Sequence, residues 1–560
     1  MKAVIIAGGE GTRVRSVTKD VIPKCLLKIN NKTIIEYQID SLKKYGIDEV
    51  IIVVGYLASE VRKYFGDGSK FGISIKYYEE KCALGTGGSL YYINSMIDDD
   101  FILLYGDTFL NINFDNMIKF HYKKKALVTL LSHYTKYYKD CNLILCNKKR
   151  QVLSFLEKGS NIENMLCNGG VYIFSKSIFN YVSEGKLDLE KDIISKVLCT
   201  KKVYSYYSNE LVYDVGTVDR YMDVVNFFEK KVSVIIPFYK VKDEIGECIE
   251  SVLKQDYNNI EVICVGRKDD LETVNIVKKY ESVKCIMQDG IGLGNARNCG
   301  LNESLGDYIL FLDGDDYIEK DAIRSLLFNM FMMDSDVVVS GFDRIDKVTN
   351  KIYSKEMINL KQDNLVINED NFCNMLFVAP CSWGKLFKKE VIADITFLDE
   401  AFEIEDLIFF LNVLPNIKKI SFINEVKWHY VVRKDSLISN VKIDKAYSLF
   451  DNLEDVRKLY NGKYLETFDV IAYLHLCISM FSRLLVSSRR EALKYFKYVR
   501  SNLDKSFNYW CTPEVRYNGK ITIKTFILSL SRILTKINCL VILLDIYNYI
   551  IKTFKIEIKW

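Results

Sequence analysis

Three carboxylates stand within four positions in YILFLDGDDY (Tyr308–Tyr317): Asp313, Asp315 and Asp316, directly after the apolar run Ile309–Leu312. Acids this close repel one another unless something positive sits among them. FILLYGDTF (Phe101–Phe109) has the same shape with a single acid, Asp107. A third chemical stretch opens the chain, AGGEGTRVRSVTKDVIPK (Ala7–Lys24). Its Gly8, Gly9 and Gly11 let backbone N–H groups approach phosphates, and Arg13 and Lys24 add positive charge where a triphosphate would lie. A Gly-rich loop alone is only a turn, and Asp and Gly after a strand are ordinary turn residues. The order strand, Gly-rich loop, Arg, Pro-Lys is more specific, and it is neither the P-loop nor the dinucleotide fingerprint.

Something must hold these residues. KAVIIAGG (Lys2–Gly9) and VSVIIPFY (Val232–Tyr239) read as first strands of two α/β domains: short, apolar, β-branched, ending in turn chemistry. Helix-like TIIEYQIDSLKKYG and strand-like EVIIVVGY follow the first; helix-like EIGECIESVLKQ and strand-like IEVICVG follow the second. Such alternation predicts mostly parallel sheets covered by helices, with ligands beyond the carboxyl ends of the strands, where both acid-tipped strands place their acids. The boundary is expected near Lys230.

The 560 residues are too many for one core. With 77 Lys+Arg against 73 Asp+Glu, the +4 balance argues against a nucleic-acid binder working through a large basic field. Fifteen cysteines lie scattered without a CxxC pair or zinc spacing, which reads as small buried hydrophobes in a reducing compartment. The start turns into glycines too soon for a signal peptide, and no uninterrupted apolar run reaches the roughly 20 residues of a spanning helix. The expected location is cytoplasmic.

The ordered motifs of residues 1–230 resemble those of the sugar-1-phosphate nucleotidyltransferases. GGxGTR…PK is present as Gly8, Gly9, Gly11, Thr12, Arg13, Pro23 and Lys24. LGTGGSL (Leu84–Leu90), with Gly85 and Thr86, is similar to the loop that holds base and ribose. GDTF supplies Asp107 and YDVGTVDRY supplies Asp214, which the resemblance implies as Mg²⁺ ligands. EKG (Glu157, Lys158) and NGGVYIF (Asn168, Gly169) are similar to the sugar-phosphate pocket. The stretch VGYLASEVRKYFGDGSKFGISIKYYEE and NGGVYIF most resemble the D-glycero-D-manno-heptose 1-phosphate guanylyltransferase branch. The implied chemistry is attack of a sugar phosphate oxygen on the α-phosphorus of a nucleoside triphosphate. Arg13 would stabilise the leaving pyrophosphate, Lys24 the α-phosphate and Lys158 the sugar phosphate. One departure is a loop from Arg13 to Lys24 that is one residue longer than usual. It would either shift Lys24 or bulge at Val21–Ile22.

Residues 231–440 resemble a family-2 inverting glycosyltransferase of the GT-A fold. The carrying segments are VSVIIPFY with Pro237, GLGNARNCGL with Arg297 beside the nucleotide, FLDGDD, SWGKLFKKEVI and EIEDLIFF. The resemblance implies Asp313 and Asp315 on a Mn²⁺ or Mg²⁺ that carries a nucleotide-sugar diphosphate. It places Trp383, Lys385 and Glu405 on the acceptor side and Asp406 as general base, with Glu405 the nearer alternative. His429 and Arg433 would reach the diphosphate. The family's D-D-G-S after IEVICV is replaced by Gly266-Arg267-Lys268-Asp269-Asp270. Either Asp269 or Asp270 substitutes, or donor recognition differs, or this half is weakened.

From 441 to 560 the chain reads helical. KTFILSLSRILTKINCLVILLDIYNYIIKTFK (Lys524–Lys555) puts Ile527, Leu530, Leu534, Ile537, Val541, Leu544, Tyr547 and Ile551 on one face. Packing on its own domain or on a second subunit, as in a homo-oligomer, is one reading. Peripheral contact with an anionic membrane near a lipid-linked acceptor is the other. The whole is expected to be two Rossmann-like nucleotide-binding α/β domains in tandem with a helical end. One half would make a nucleotide sugar and the other transfer a sugar to a glycan or lipid-linked acceptor. Two rivals stay open: a second half that only binds or scaffolds, and a first half using CTP or UTP with a hexose 1-phosphate.

Overall fold

The computed structural model describes residues 1–156, 165–208, 210–356, 364–398, 405–432, 443–511, 523–537 and 540. The chain divides into two compact units, Met1–Glu229 with Phe331–Met333, and Lys230–Met330 with Asp334–Trp560.

The first unit is built on a nine-stranded sheet. The strand Lys2–Ile6 lies in its middle, parallel to Glu49–Val54 on one side and to Phe101–Tyr105 on the other. Beyond Phe101–Tyr105 the strand Leu166–Phe174 runs antiparallel. Strands 2–6 and 101–105 are largely apolar because both sheet faces are covered: one residue set joins the core of Ile35, Ile39 and Val61, the alternate set that of Leu90, Ile93 and Ile193. The helix Ile34–Lys43 starts where the sequence puts a capping box, Thr33 accepting from the Glu36 N–H and Glu36 accepting from the Thr33 N–H.

The second unit has a ten-stranded sheet around Val232–Pro237, which is parallel to Ile260–Gly266 and to Tyr308–Phe311. Past Tyr308–Phe311 the sheet turns antiparallel at Lys385–Lys388. The long strands Val337–Asp346 and Lys419–Val432 then pair parallel to each other. Ile235, Ile309 and Phe311 on one face belong to the same core as Leu407–Leu411, Phe450, Phe468, Tyr495 and Leu503. The helices after residue 443 therefore share the core of this sheet. One described helix, Gly462–Leu485, is long and apolar enough to cross a membrane by length and composition, yet its Phe468, Ile471, Leu476 and Phe481 are buried in this core.

Candidate active sites

In the first unit the Gly-rich loop leaves the carboxyl end of Lys2–Ile6, and Gly11 takes φ +65°, a conformation glycine adopts without strain. Arg13, in the turn Thr12–Val14, is exposed, as are Gly9 and Thr12. The longer loop is taken up at the surface. Lys19 and Asp20 adopt left-handed φ of 52° and 58°, and Val21 and Ile22 stand 65% and 42% exposed. The ammonium of Lys24, at the end of this loop, is hydrogen-bonded to Asp107.

The strand Leu211–Asp214 pairs antiparallel with Thr108–Asn111 and sets Asp214 opposite Thr108, next in the chain to Asp107. The Val215 N–H donates to the Asp107 carbonyl at 2.9 Å, which fixes the two acid-bearing segments side by side. Burial alone would push the Asp107 carboxyl up, but Lys24 and then Arg13 outweigh it and hold the group below the ordinary carboxylate range. Asp214 is bound by Arg220, whose Nη2 also reaches Asp140 at 3.2 Å. Two carboxylates held next to each other by cations suit an ion that keeps waters and shares substrate phosphates, as Mg²⁺ does.

The loop of Gly85 and Thr86 is clamped on the segment 185–189. Leu187 N–H donates to the Leu84 carbonyl at 3.0 Å, and Thr86 Oγ1 accepts from the Leu189 N–H at 2.8 Å. Asn168 Nδ2 donates to Glu190 at 2.9 Å; Tyr105 and Tyr172 also donate to Glu190. Gly169 packs where a Cβ would meet Leu131 at 2.7 Å. Glu157 and Lys158 lie outside the described residues.

Two acids here escaped the sequence reading. Glu190 is buried, and burial raises its pKa. In the sequence it is one of three acids in LDLEKDII (Leu187–Ile194), with nothing to set it apart from Asp188 and Asp192. Glu80 directly follows the strand Ser74–Glu79 and lies against the Gly-rich loop: a Cβ on Gly8 would sit 2.5 Å from its Oε2. Burial pushes Glu80 up to about 7, and its buried Oε1 has no hydrogen-bond partner.

In the second unit the acid turn follows Tyr308–Phe311 and is tied to the central strand, Gly314 N–H donating to the Pro237 carbonyl at 3.2 Å. The three acids have separate tasks. Asp316 is 1% exposed and accepts from Trp428 Nε1 (3.3 Å) and the Val431 N–H (2.9 Å), so it locks the strand Lys419–Val432 onto the turn. Asp313 accepts from Arg297 Nη2 at 2.8 Å, and Asp315 lies partly exposed beside it. Arg297 is itself fully buried and also donates to Asp406 at 2.8 Å and Glu405 at 3.2 Å. Its guanidinium therefore ties the metal-type acid to the E-D pair that opens the helix Glu405–Val413. Burial pushes Asp313 up to about 6, with Arg297 pulling it down; burial and then the Asp406 charge push Glu405 up to about 7.

Trp383 stacks on Tyr430 with centroids 5.4 Å apart and is edge-on to Phe342 at 4.8 Å. Lys385 is 1% exposed and donates to the carbonyls of Ala379 (2.6 Å) and Cys381 (2.7 Å), so it shapes the loop that carries Trp383. Pro237 is buried at the end of its strand. His429 lies between Asp343 (2.7 Å) and Glu319 (3.0 Å); Arg433 lies outside the described residues. In the altered loop Asp269 takes two N–H bonds from Arg267, at 2.9 and 2.8 Å, and Arg267 covers Tyr239 at 4.6 Å. Asp270 is 6% exposed, caps the helix Leu271–Val277 and accepts from the Lys240 N–H at 2.5 Å.

The family described as nucleotidyl transferase matches residues 2–231, and glycosyl transferase family 2 matches residues 233–395. The D-glycero-alpha-D-manno-heptose 1-phosphate guanylyltransferase of Aneurinibacillus thermoaerophilus is 35% identical over 40% of this chain and 95% of its own length. The UTP–glucose-1-phosphate uridylyltransferase of Synechocystis sp. is 30% identical over 40% of this chain and 62% of its own. The glycosyltransferase GlyA of Streptococcus pneumoniae serotype 4 is 26% identical over 40% of this chain, and the match spans 34% of that protein.

Proposed function

The chain belongs to the nucleotidyl transferase family and joins to it a glycosyl transferase family 2 domain, and from that premise we propose that its first unit makes a GDP-sugar from GTP and a heptose 1-phosphate. The second unit then transfers a sugar, with inversion, from a nucleotide sugar to a glycan or lipid-linked acceptor.

Glu80 carries the choice of base. Its carboxylate lies on Gly8 at the head of the phosphate loop, with one oxygen buried and unpartnered. Guanine offers two adjacent donors, N1–H and the 2-amino group, which a carboxylate accepts together; uracil offers one N–H flanked by carbonyls that a carboxylate repels. The guanylyltransferase names among the relatives support the same base, and the heptose 1-phosphate rests on those names alone.

Lys24 would hold the α-phosphate and Arg13, exposed on its turn, the leaving pyrophosphate. Asn168, fixed by Glu190, would orient the sugar, with Glu157 and Lys158 on its phosphate. Asp107 and Asp214 would hold Mg²⁺, which when bound offsets the charge of the two phosphates. No covalent enzyme intermediate is required, so the residues work by position and charge.

In the second unit Asp313 and Asp315 would hold Mn²⁺ or Mg²⁺ on the donor diphosphate. Asp406 would take the acceptor hydroxyl proton, with Arg297 fixing its distance from Asp313. The flat Trp383–Tyr430 pair would line the acceptor side. With Asp269 and Asp270 both engaged locally, donor recognition would fall to the Arg267–Tyr239 stack.

Pyrophosphate release measured for each nucleoside triphosphate with heptose and hexose 1-phosphates tests the first reaction. GTP is expected to be preferred, and Glu80→Gln to lose most of that preference. A native preference for UTP or CTP, or a Glu80→Gln enzyme with unchanged GTP preference, would overturn the assignment.

A further inference from the structure

In the second unit the strands Val283–Met287, Ile260–Gly266, Val232–Pro237 and Tyr308–Phe311 are neighbours in that order, all parallel. Chain order reverses between the last two, so a nucleotide belongs in the crevice beyond these carboxyl ends. Asp313 and Asp315 follow the strand on one side of Val232–Pro237, and Arg267 follows the strand on the other. Pro237 is level with both: it pairs with Val265 and accepts from the Gly314 N–H at 3.2 Å. The two outer tips are two strand spacings apart, about 10 Å. With the sugar end of a donor diphosphate turned to Asp406, its nucleoside end is left to the tips that carry Tyr239 and Arg267.

The guanidinium there is held in place. Asp269 accepts from its Nε at 2.9 Å and its Nη2 at 2.8 Å, and the ring of Tyr239, 39% exposed, lies 4.6 Å away. That uses one side of the fork. Its end, Nη1–H beside the second Nη2–H, has no hydrogen-bond partner among the described residues. Two adjacent donors call for two adjacent acceptors. Uracil alternates carbonyl, N–H and carbonyl, and adenine sets its amino group beside N7 and N1. Guanine offers O6 with N7, and cytosine N3 with O2. Glu80 in the first unit makes the opposite demand, two adjacent donors, which guanine meets and cytosine, with its amino group next to an acceptor N3, does not. We propose that Arg267 reads O6 and N7 of guanine, so that the second unit takes a GDP-sugar and the product of the first reaction is the donor of the second. The proposal rests on the guanine assignment at Glu80 and on a donor diphosphate at Asp313 and Asp315. In the transfer the anomeric carbon exchanges its bond to the β-phosphate oxygen for one to the acceptor oxygen; GDP departs and the hydroxyl proton goes to Asp406.

Calorimetric titration of the full chain with GDP, UDP and CDP in Mn²⁺ tests the proposal. The site in question is the one that Asp315→Asn weakens and Glu80→Gln leaves in place. GDP is expected to bind there more tightly than UDP or CDP. Arg267→Gln should cut GDP affinity roughly 5–150-fold, the worth of one bidentate base contact, with UDP affinity nearly unchanged. Retained UDP binding shows that the second unit of this variant is folded. Arg267→Lys keeps the charge without the fork and should lose the same discrimination. A native preference for UDP or CDP at this site overturns the proposal. So does an equal loss of GDP and UDP affinity in Arg267→Gln, which would make Arg267 a phosphate contact. Pyrophosphate release that favours UTP or CTP over GTP would overturn the shared donor through the first unit instead, with the GDP preference at Arg267 still measured separately.

Discussion

Replacing Arg297 by Met is expected to unfold the second unit below its native melting temperature while leaving the first unit intact. The guanidinium is fully buried and donates to Asp313, Asp406 and Glu405 at 2.8, 2.8 and 3.2 Å. Met fills similar space but leaves three carboxylates facing one another without a cation. Breaking a buried pair by removing one partner costs about 3–5 kcal/mol. In a unit of this size each kcal/mol lowers the transition by about 1.5 °C, so a fall of roughly 4–7 °C is expected. The two units should melt as separate transitions in calorimetry with chelator present, and only the second should move. Acidity sets the sign of a second readout. Asp313 and Glu405 are already raised, to about 6 and about 7, so the native state holds more protons than the unfolded one and stability falls as pH rises through that window. Without Arg297 both groups rise further, so the deficit should shrink on going from about pH 8 to about pH 5.5. Arg297→Lys, a point charge that cannot reach three acids, should fall between native and Met. A loss below about 1 kcal/mol, or a deficit indifferent to pH, would show that Arg297 is not what neutralises this cluster.

Asp107→Asn should lower nucleotidyl transfer by on the order of 10³-fold and leave sugar transfer from supplied donor intact; loss of both in the radiolabel assay would deny two separate sites. Asp406→Asn should slow sugar transfer on the order of 10²–10⁴-fold with donor binding preserved in calorimetry, whereas the same pattern from Glu405→Gln, with Asp406→Asn near normal, would move the base by one residue. Glu80 titrates near 7 and must be ionised to accept from guanine, so GTP should bind up to about ten-fold tighter at pH 8 than at pH 6, and the Glu80→Gln profile should be flat by comparison.

The sequence by itself determined the strands and the motifs at their tips. Lys2–Ile6, Phe101–Tyr105, Val232–Pro237 and Tyr308–Phe311 were legible because an apolar run ending in Gly and Asp is a local pattern, and a buried parallel strand needs nothing else to be recognised. The capping box at Thr33 and the turn at Gly11 are local in the same sense. Where each side chain goes was decided by tertiary structure, because the partners are far apart in the chain. Arg297 read as a nucleotide contact, yet it bonds to residues 16, 108 and 109 positions away. Lys385 read as an acceptor contact, yet its ammonium closes a loop on two backbone carbonyls. Asp316 could not be told from Asp313 until Trp428, 112 positions on, came to meet it. Glu80 and Glu190 carry no motif of their own and become conspicuous only through what surrounds them. The same limit holds for Ile523–Lys536: a helical period reveals that two faces exist, but which of them is buried depends on the surface the rest of the fold presents to it.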